Sequence, residues 1–439
     1  MKSVYKIKKG LDIKLIGDAD FIIKPHKVSK LAISPDDFKW LKPKLSINEG
    51  DKVKIGTPII ISKDNLDIRI TSPISGEVTN IIRGEKRKIE RIIISSDEKY
   101  EIESHNLNFN LESRNIKSTL LATGLWPFIK QRPFDCIANP NDIPKAIFIS
   151  CFDSAPLAPS YSFILQNRQE EFQKGVEILS HLTNGKIFLG LKDNIDNTFF
   201  EATKNVELKY FEGPHPSGNI GTQIHHIAPI SKGEIVWYVN PQDVATIGKF
   251  YLTKILDFSK IIALCGSGIA EPCYLKTIIG SDISSLRGGA DARIISGNVL
   301  TGTNISESPF LRFYHNQVTI IPEGGSRRLF GWLYPGFRLW SVSHTYISWL
   351  YPKRKHNLDT TLHGGKRPMI LSDVYNKVFP FDILPMELLK ACVIKDIDLM
   401  EQLGIYEVAE EDFALCEVVC PSKTECQQII NDGLSLLKE

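Results

Sequence analysis

The sequence predicts an α+β multidomain fold, and three observations predict it. The chain up to residue 110 is rich in β-branched residues and turn signals, as an all-β module requires. From Lys145, short apolar runs alternate with stretches whose apolar residues recur at helical spacing, the pattern of a mainly parallel sheet covered by helices. From Pro380 onward the chain turns helical. With 439 residues, 42% hydrophobic and 24% charged, there is enough apolar material for roughly two to four such units. The pattern divides the chain into an all-β module (1–110), an α/β unit (111–265), a glycine- and strand-rich stretch (266–330), and an aromatic-rich segment followed by helices (331–439).

Within the first unit, Glu49 to Val78 reads EGDKVKIGTPIIISKDNLDIRITSPISGEV. Glycine turn, strand, hairpin, strand and SP-x-SG-x-V follow the layout of biotinyl and lipoyl barrel-sandwich modules. Those modules present a lysine at the hairpin tip, because a tethered cofactor is ligated to an exposed amine. Counting back from Pro73, the tip falls on Asn65, followed by Leu66. Lys63 is two places away, where a tight hairpin directs the side chain elsewhere. The expectation is a barrel-sandwich module without a carrier lysine, retained for docking or structure. The basic run Arg83, Lys86, Arg87, Lys88 and Arg91 follows a turn signal at Gly84 and reads as a solvated hairpin edge.

A polar joint, Ser104 to Ser118, leads into TGLWPFIKQRPF (Thr123–Phe134). Ala146–Phe152 is a short apolar run. Leu165, Phe172, Val176, Leu179 and Leu182 then recur at helical spacing until Gly185. Strands are expected at 186–192, 206–213 and 234–239. Asn240-Pro241 is a cap followed by proline at the first helical position, and Val244, Ile247, Tyr251 and Ile255 stripe the helix it opens. The run 261–266 returns as a strand. Pro385 opens one C-terminal helix and Pro421 stops another. There is no internal repeat and no low-complexity tract.

A formal net charge of +2 gives no reason to expect nucleic acid as the partner. The N-terminal MKSVYKIKKGLD is basic without an apolar core behind it, unlike a secretory signal. Eight scattered cysteines, mostly inside apolar runs (Cys151, Cys265, Cys392), fit reduced thiols in a cytosolic compartment. One segment imitates a membrane span: Arg327 to Lys355 has basic pairs at each end and three of the six tryptophans, Trp332, Trp340 and Trp349. Arg338 and His344 interrupt it, and Gly331, Pro335, Gly336 and Pro352 break any helix. It reads either as a core segment of a soluble domain or as a surface against a membrane or membrane-embedded partner, where tryptophan and tyrosine are favoured.

Four stretches invite a chemical reading. CGSGIAEP (Cys265–Pro272) begins like a dinucleotide fingerprint, but Glu271 and Pro272 occupy the place of the third glycine. A carboxylate there repels phosphates, so an ordinary strand-end turn is expected. FEGPHPSGNIGTQIHH (Phe211–His226) concentrates His215, His225 and His226 without the spacing or thiolate companions of a zinc site; it reads as a rigid loop whose backbone closely approaches a partner. Cys416, Cys420 and Cys426 have an incomplete C-x3-C-P arrangement, too few thiolates for an iron–sulfur cluster, and read as a vestigial element. In TGLWPFIKQRPF, Trp126, Phe128, Arg132 and Phe134 have the chemistry of a quinone-facing slot: apolar walls plus a donor aimed where negative charge develops on reduction. An inter-domain packing segment would look the same. No Ser-His-Asp, Cys-His or paired-carboxylate arrangement stands out, so no catalytic or metal-ligating residue is named.

Together these stretches resemble the NqrA family, one of the subunit families of the Na+-translocating NADH:quinone oxidoreductase, a bacterial respiratory pump. IKKGLD, EGDKVKIGTP, SPISGEV, TGLWPFIKQRPF, HPSGNIGTQIH, VNPQDVATIGK, RIISGNVLTG, FGWLYPG, FPFDILP and EEDFALCEVVCPSK occur in that family's order almost end to end. The family is similar to the RnfC component of the Rnf electron-transfer complex and to the flavoprotein component of respiratory complex I, whose G-R-G-G-A-G-F-P flavin loop this chain lacks. The resemblance implies a Rossmann-like α/β domain and, at RIISGNVLTG, a β-grasp domain of the soluble-ligand-binding (SLBB-like) kind. It further implies a cofactor-free peripheral subunit on the cytoplasmic face of the inner membrane, without a transmembrane helix and without turnover in isolation. Its partners would be the other Na+-NQR subunits, membrane-embedded ones included, with ubiquinone contact left open. NADH, flavins, iron centres and ubiquinone would be used on those other subunits, while sodium moves outward. The competing reading is a freestanding NAD- or flavin-dependent oxidoreductase built on the α/β unit.

Overall fold

The computed structural model describes residues 3–438 apart from 287, 290, 326–332, 334–335, 337–338 and 371–372. The barrel-sandwich is built from a four-stranded sheet, in the order Lys30–Ile33, Ile89–Ser96, Gly76–Arg83, Lys52–Val53, and a three-stranded sheet, in the order Pro43–Leu45, Pro58–Ser62, Arg69–Thr71. Ile60, Ile70, Val78, Ile92 and Ile94 fill its interior. The hairpin tip carries Asn65 as expected. Its Oδ1 accepts from the Asp67 N–H at 3.1 Å and its carbonyl from the Ile68 N–H at 3.1 Å, so the side chain closes the turn on itself. The basic run is a hairpin turn between Gly76–Arg83 and Ile89–Ser96, with Lys88 paired to Asp36 at 2.8 Å.

A seven-stranded sheet follows, in the order Val4–Lys6, Glu207–Glu212, Lys186–Lys192, Ala146–Ser150, Val236–Tyr238, Lys130–Arg132, Cys136–Ile137. The first five strands are parallel and the last two form an antiparallel edge. Period-two alternation serves both faces. Ile147, Ile149 and Leu189 meet Phe172, Val176 and Leu179 of the helix Gln169–Ser180, while Phe148 and Phe188 meet Ile220 and Ile224 of the helix Ile220–Ile227. Gln169–Ser180 also packs on Pro241–Thr253 at backbone contact: a Cβ on Gly248 would stand 1.8 Å from the Glu171 carbonyl oxygen.

The third sheet has six strands, in the order Thr303–Asn304, Ala292–Ser296, Gln317–Pro322, Ser259–Cys265, Cys273–Ile278, Asp20–Pro25. The C-terminal helices Pro385–Ile394, Ile397–Gln402, Ala414–Val419 and Cys426–Lys438 enclose a separate core around Phe379, Phe381, Leu389, Phe413 and Ile430. The sequence pattern foresaw neither of two early strands leaving the barrel: Val4–Lys6 joins the parallel sheet and Asp20–Pro25 joins the six-stranded one.

Several local expectations change. The strand expected at 261–266 exists, but it pairs antiparallel with Cys273–Ile278 and so belongs to the six-stranded sheet. The polar joint contains the start of a helix, Ser113–Thr123, closed by Gly124 at φ 73°. The stripe Leu165–Leu182 covers two helices, Tyr161–Leu165 and Gln169–Ser180, not one. Ile255 lies beyond its helix, which Lys254 ends at φ 63°. Of the aromatic segment, Gly331, Trp332, Pro335 and Arg338 lie outside the described residues; from Leu339 its only helical piece is the 3-10 turn Ile347–Leu350. Among the described residues no helix is long and apolar enough to cross a membrane.

Candidate functional site

In a doubly wound sheet the crevice for ligands lies outside the carboxyl ends of the strands, where the strand order reverses. Here the order reverses between Ala146–Ser150 and Val236–Tyr238. A cavity of about 420 Å3 opens there, lined by Ser150, Phe152 and Asp153 after one strand and by Val239 and Asn240 after the other. The barrel contributes Asp37 and Lys39, the edge hairpin and the 3-10 turn before it Lys130, Asp135 and Phe128, the turn leading into Gln317–Pro322 Tyr314 and His315, and the C-terminal region Glu410 and Glu411.

One wall is a charged network. Lys130 Nζ meets Asp135 Oδ1 at 2.8 Å and lies over the rings of Tyr314 and Tyr238, 4.9 and 5.3 Å from their centroids. Lys39 Nζ bridges Asp135 Oδ2 at 3.0 Å and Glu410 Oε2 at 2.9 Å. The Tyr238 hydroxyl also donates to Asp135. Behind them Arg132, fully buried, donates from Nη1 to Asp412 Oδ2 at 3.0 Å and from Nη2 to Glu411 Oε1 at 2.6 Å. Burial works against the Asp135 carboxylate, but Lys130, Lys39 and Arg132 outweigh it and hold its pKa well below the usual range. Burial opposes the Lys130 charge too, yet Asp135 keeps that amine protonated.

Three cations (Lys39, Lys130, Arg132) thus face four carboxyls (Asp135, Glu410, Glu411, Asp412). The group holds more acids than bases, and burial pushes the Glu411 carboxyl up to about 7, Asp412 and Asp135 adding to burial against the pull of Arg132. Its side chain still keeps 35% of its surface exposed, so water screens part of that effect.

The cavity lining also supplies a hydroxyl, that of Tyr161. Tyr161 oxygen accepts from Asn240 Nδ2 at 2.8 Å and Asn316 Nδ2 at 3.1 Å, and among the described residues its own O–H has no acceptor. Burial, then Asp153, raises its pKa, so the proton stays on. His215 and His315 are held neutral, burial pushing them down to about 4 and about 3. His215 Nδ1 shares a hydrogen bond with Ser154 Oγ at 3.0 Å, and the same oxygen accepts from the Gly218 N–H at 2.8 Å. The close backbone approach expected of this loop occurs within the chain: a Cβ on Gly10 would stand 2.1 Å from the His215 carbonyl oxygen.

Of the four residues the sequence singled out, Phe128 lines the cavity. Trp126 is buried, donates Nε1 to the Ala138 carbonyl at 2.7 Å and packs edge-on against Trp237. Arg132 is one layer behind the cavity in the network above. Phe134 accepts at its carbonyl from Trp40 Nε1 at 2.9 Å and packs on Tyr406. Sequence reasoning missed Lys130, although it lies inside the same motif, and missed Tyr161, Lys39 and Glu411, which only the tertiary fold brings here. The strand-end turn reading of Cys265–Pro272 holds: the segment links two antiparallel strands and no helix follows. Cys416, Cys420 and Cys426 are buried free thiols; Tyr375 OH donates to Cys420 Sγ at 3.0 Å. No group of three or more His, Cys, Asp or Glu able to hold a metal is found among the described residues.

Family models described as "NqrA N-terminal barrel-sandwich hybrid domain", "NqrA second alpha/beta domain" and "NQRA C-terminal domain" match residues 5–97, 111–255 and 261–307. The NqrA subunit of the Na(+)-translocating NADH-quinone reductase of Yersinia pestis bv. Antiqua is 35% identical over 445 residues, covering 99% of each chain. That of Neisseria meningitidis serogroup A is 34% identical over 444 residues, again 99% of each chain. That of Rhodopirellula baltica is 34% identical over 452 residues, covering 100% of this chain and 98% of its own.

Proposed function

We propose, from the premise that this chain belongs to the NqrA family of the Na+-translocating NADH-quinone reductase, that it is a cofactor-free peripheral subunit on the cytoplasmic face of the membrane and that it supports the ubiquinone-reduction step coupled to sodium export. The observation that carries the quinone reading is the switch-point cavity, with aromatic side chains and two donors, Lys130 and Tyr161, in its lining. Phe128, Phe152 and Tyr314 offer surface to a planar ring. The Lys130 ammonium and the Tyr161 hydroxyl are of the kind that stabilise oxygens becoming negative as a quinone takes up electrons. Reduction to the quinol takes two electrons, delivered by the other subunits, and two protons from solvent, and Glu411, its carboxyl pushed up to about 7 by burial, is a titratable group at the cavity wall. The quinone-facing set is therefore Phe128, Lys130 and Tyr161. Arg132 acts behind it through Glu411 and Asp412, and Trp126 and Phe134 shape the hairpin that carries Lys130. Flavins, iron centres and NADH are assigned to the other subunits of the complex, membrane-embedded ones included.

The test uses the assembled complex carrying Lys130→Met or Tyr161→Phe. Quinone-dependent turnover should fall at least about tenfold, while NADH oxidation by a soluble artificial acceptor stays unchanged. Unaltered quinone KM and turnover in both variants would remove the cavity from the reaction. The cofactor assignment is tested separately by anaerobic purification of the chain, absorbance and metal analysis; stoichiometric flavin or iron would overturn it.

A further inference from the structure

Residues 324–358 contain six arginines and lysines and not one aspartate or glutamate. Inside this stretch Trp349–Lys355, reading WLYPKRK, is a run of seven consecutive exposed residues. Trp349, Leu350 and Tyr351 are 53%, 52% and 55% exposed. Three adjacent large apolar side chains in water are costly unless something covers them. The run is not exposed through looseness. Ser348 before it and His356 after it are buried. Lys14 Nζ donates to the Pro352 carbonyl at 3.0 Å, the His356 N–H to the Lys14 carbonyl at 2.8 Å, and the Ile16 N–H to the His356 carbonyl at 3.1 Å. The Trp349 ring stacks on His344, centroids 5.8 Å apart.

The chemistry of the run selects its cover. An apolar triplet with an indole N–H and a phenol hydroxyl fits the headgroup level of a bilayer, where one end of each ring is dry and the other wet. The cations that follow fit an anionic leaflet. Lys355 pairs with Asp18, and Lys353 and Arg354 stand exposed beside it. We propose that Trp349–Lys355 is a membrane-surface anchor that seats its apolar side chains among anionic phospholipid headgroups. This assignment does not rest on the quinone reading. The run is short, so by itself the anchor is weak and reversible.

The experiment is co-sedimentation of the full chain, without other subunits, with phosphatidylethanolamine vesicles containing phosphatidylglycerol and, separately, with pure phosphatidylcholine vesicles. The chain should sediment with the anionic vesicles, release as salt rises, and show a blue shift in tryptophan emission. Each basic residue near such a surface contributes about a fivefold gain, so K353A/R354A should bind about thirtyfold more weakly. W349S/L350S should abolish the blue shift. Both pairs are exposed, so unchanged thermal melting verifies folding. Failure to bind anionic vesicles, equal binding to neutral ones, or undiminished binding by either variant overturns the proposal. So does a chain that ignores vesicles but is held through these same residues by the detergent-solubilised membrane subunits, which would assign the surface to a protein partner.

Discussion

Replacing Arg132 with methionine separates two roles for this residue, a ligand contact and a latch between the parallel sheet and the C-terminal core. Arg132 and Asp412 side chains are both fully buried, 3.0 Å apart. Asp412 Oδ2 also accepts from the Ala409 N–H at 2.9 Å, so the carboxylate holds the turn into the final helices. Removing the arginine leaves a buried carboxylate without its cation, which costs about 3–5 kcal/mol. That is a large fraction of the roughly 5–15 kcal/mol that keeps a domain folded. The loss should therefore appear as a separate, earlier transition of the C-terminal core and not as a uniform shift. Urea denaturation of the chain, with amide exchange across 405–438, reads it directly. R132M/D412N should recover roughly 2 kcal/mol or more of the R132M loss, because the pair fails together. Unchanged amide exchange across 405–438 in R132M, or a double variant as damaged as the sum of the singles, would refute the latch. A stable R132M with altered quinone KM would return Arg132 to the ligand.

His215 should make the chain acid-labile. Its folded pKa of about 4 lies below the ordinary histidine value, so the unfolded chain binds a proton that the folded one refuses. Stability is then lost as pH falls from about 6.5 through 4, by up to about 3 kcal/mol, and H215Q should make a melting-temperature profile shallower over that range, leaving the slope that His315 contributes. Glu411 runs the other way: its raised value means the folded chain keeps a proton that the unfolded one releases. Its contribution therefore falls as pH rises from the ordinary carboxylate range through about 7, and E411Q should remove that slope from the same profile. G248A places a methyl group 1.8 Å from the Glu171 carbonyl oxygen, forcing the two helices apart at a cost of about 1–3 kcal/mol or more, measurable by thermal unfolding.

The parts of the fold that were legible in the sequence are those whose signal is local. Strand 186–192 has its observed bounds, and Asn240-Pro241 opens its helix with Asn240 Oδ1 accepting from the Gln242 N–H at 3.0 Å. The missing carrier lysine could be counted from Pro73 because hairpin geometry is short-range. Sheet membership was not legible. Ser259–Cys265 looks like one more strand of the alternating series, and only its antiparallel partner places it elsewhere. Val4–Lys6 and Asp20–Pro25 are too short and too separated from their partners to carry any periodic signal. Ser113–Thr123 was hidden because its polar first turn reads like the loop before it.

The site follows the same division. TGLWPFIKQRPF was singled out for its aromatics and its arginine, yet the residue it presents to the cavity as a cation is Lys130, alternate along the strand from Arg132 in sequence but held by different carboxylates. Alternation alone cannot say which side of an edge hairpin faces a cavity, because the hairpin's far neighbours decide it. Here those neighbours come from residue 39 and residues 410–412. A half-buried network of seven ionisable groups is weak evidence for stability, since apolar packing of equal volume would do as well or better. At the meeting point of barrel, sheets and helices, an apolar junction would lack what the proposed quinone site needs: an ammonium and a carboxyl of raised pKa beside a cavity lined by four regions of the chain. Replacing Lys39, Lys130 and Arg132 together with Asp135, Glu410, Glu411 and Asp412 by apolar residues should thus preserve folding while ending quinone-dependent turnover. That combination distinguishes a functional network from a structural one.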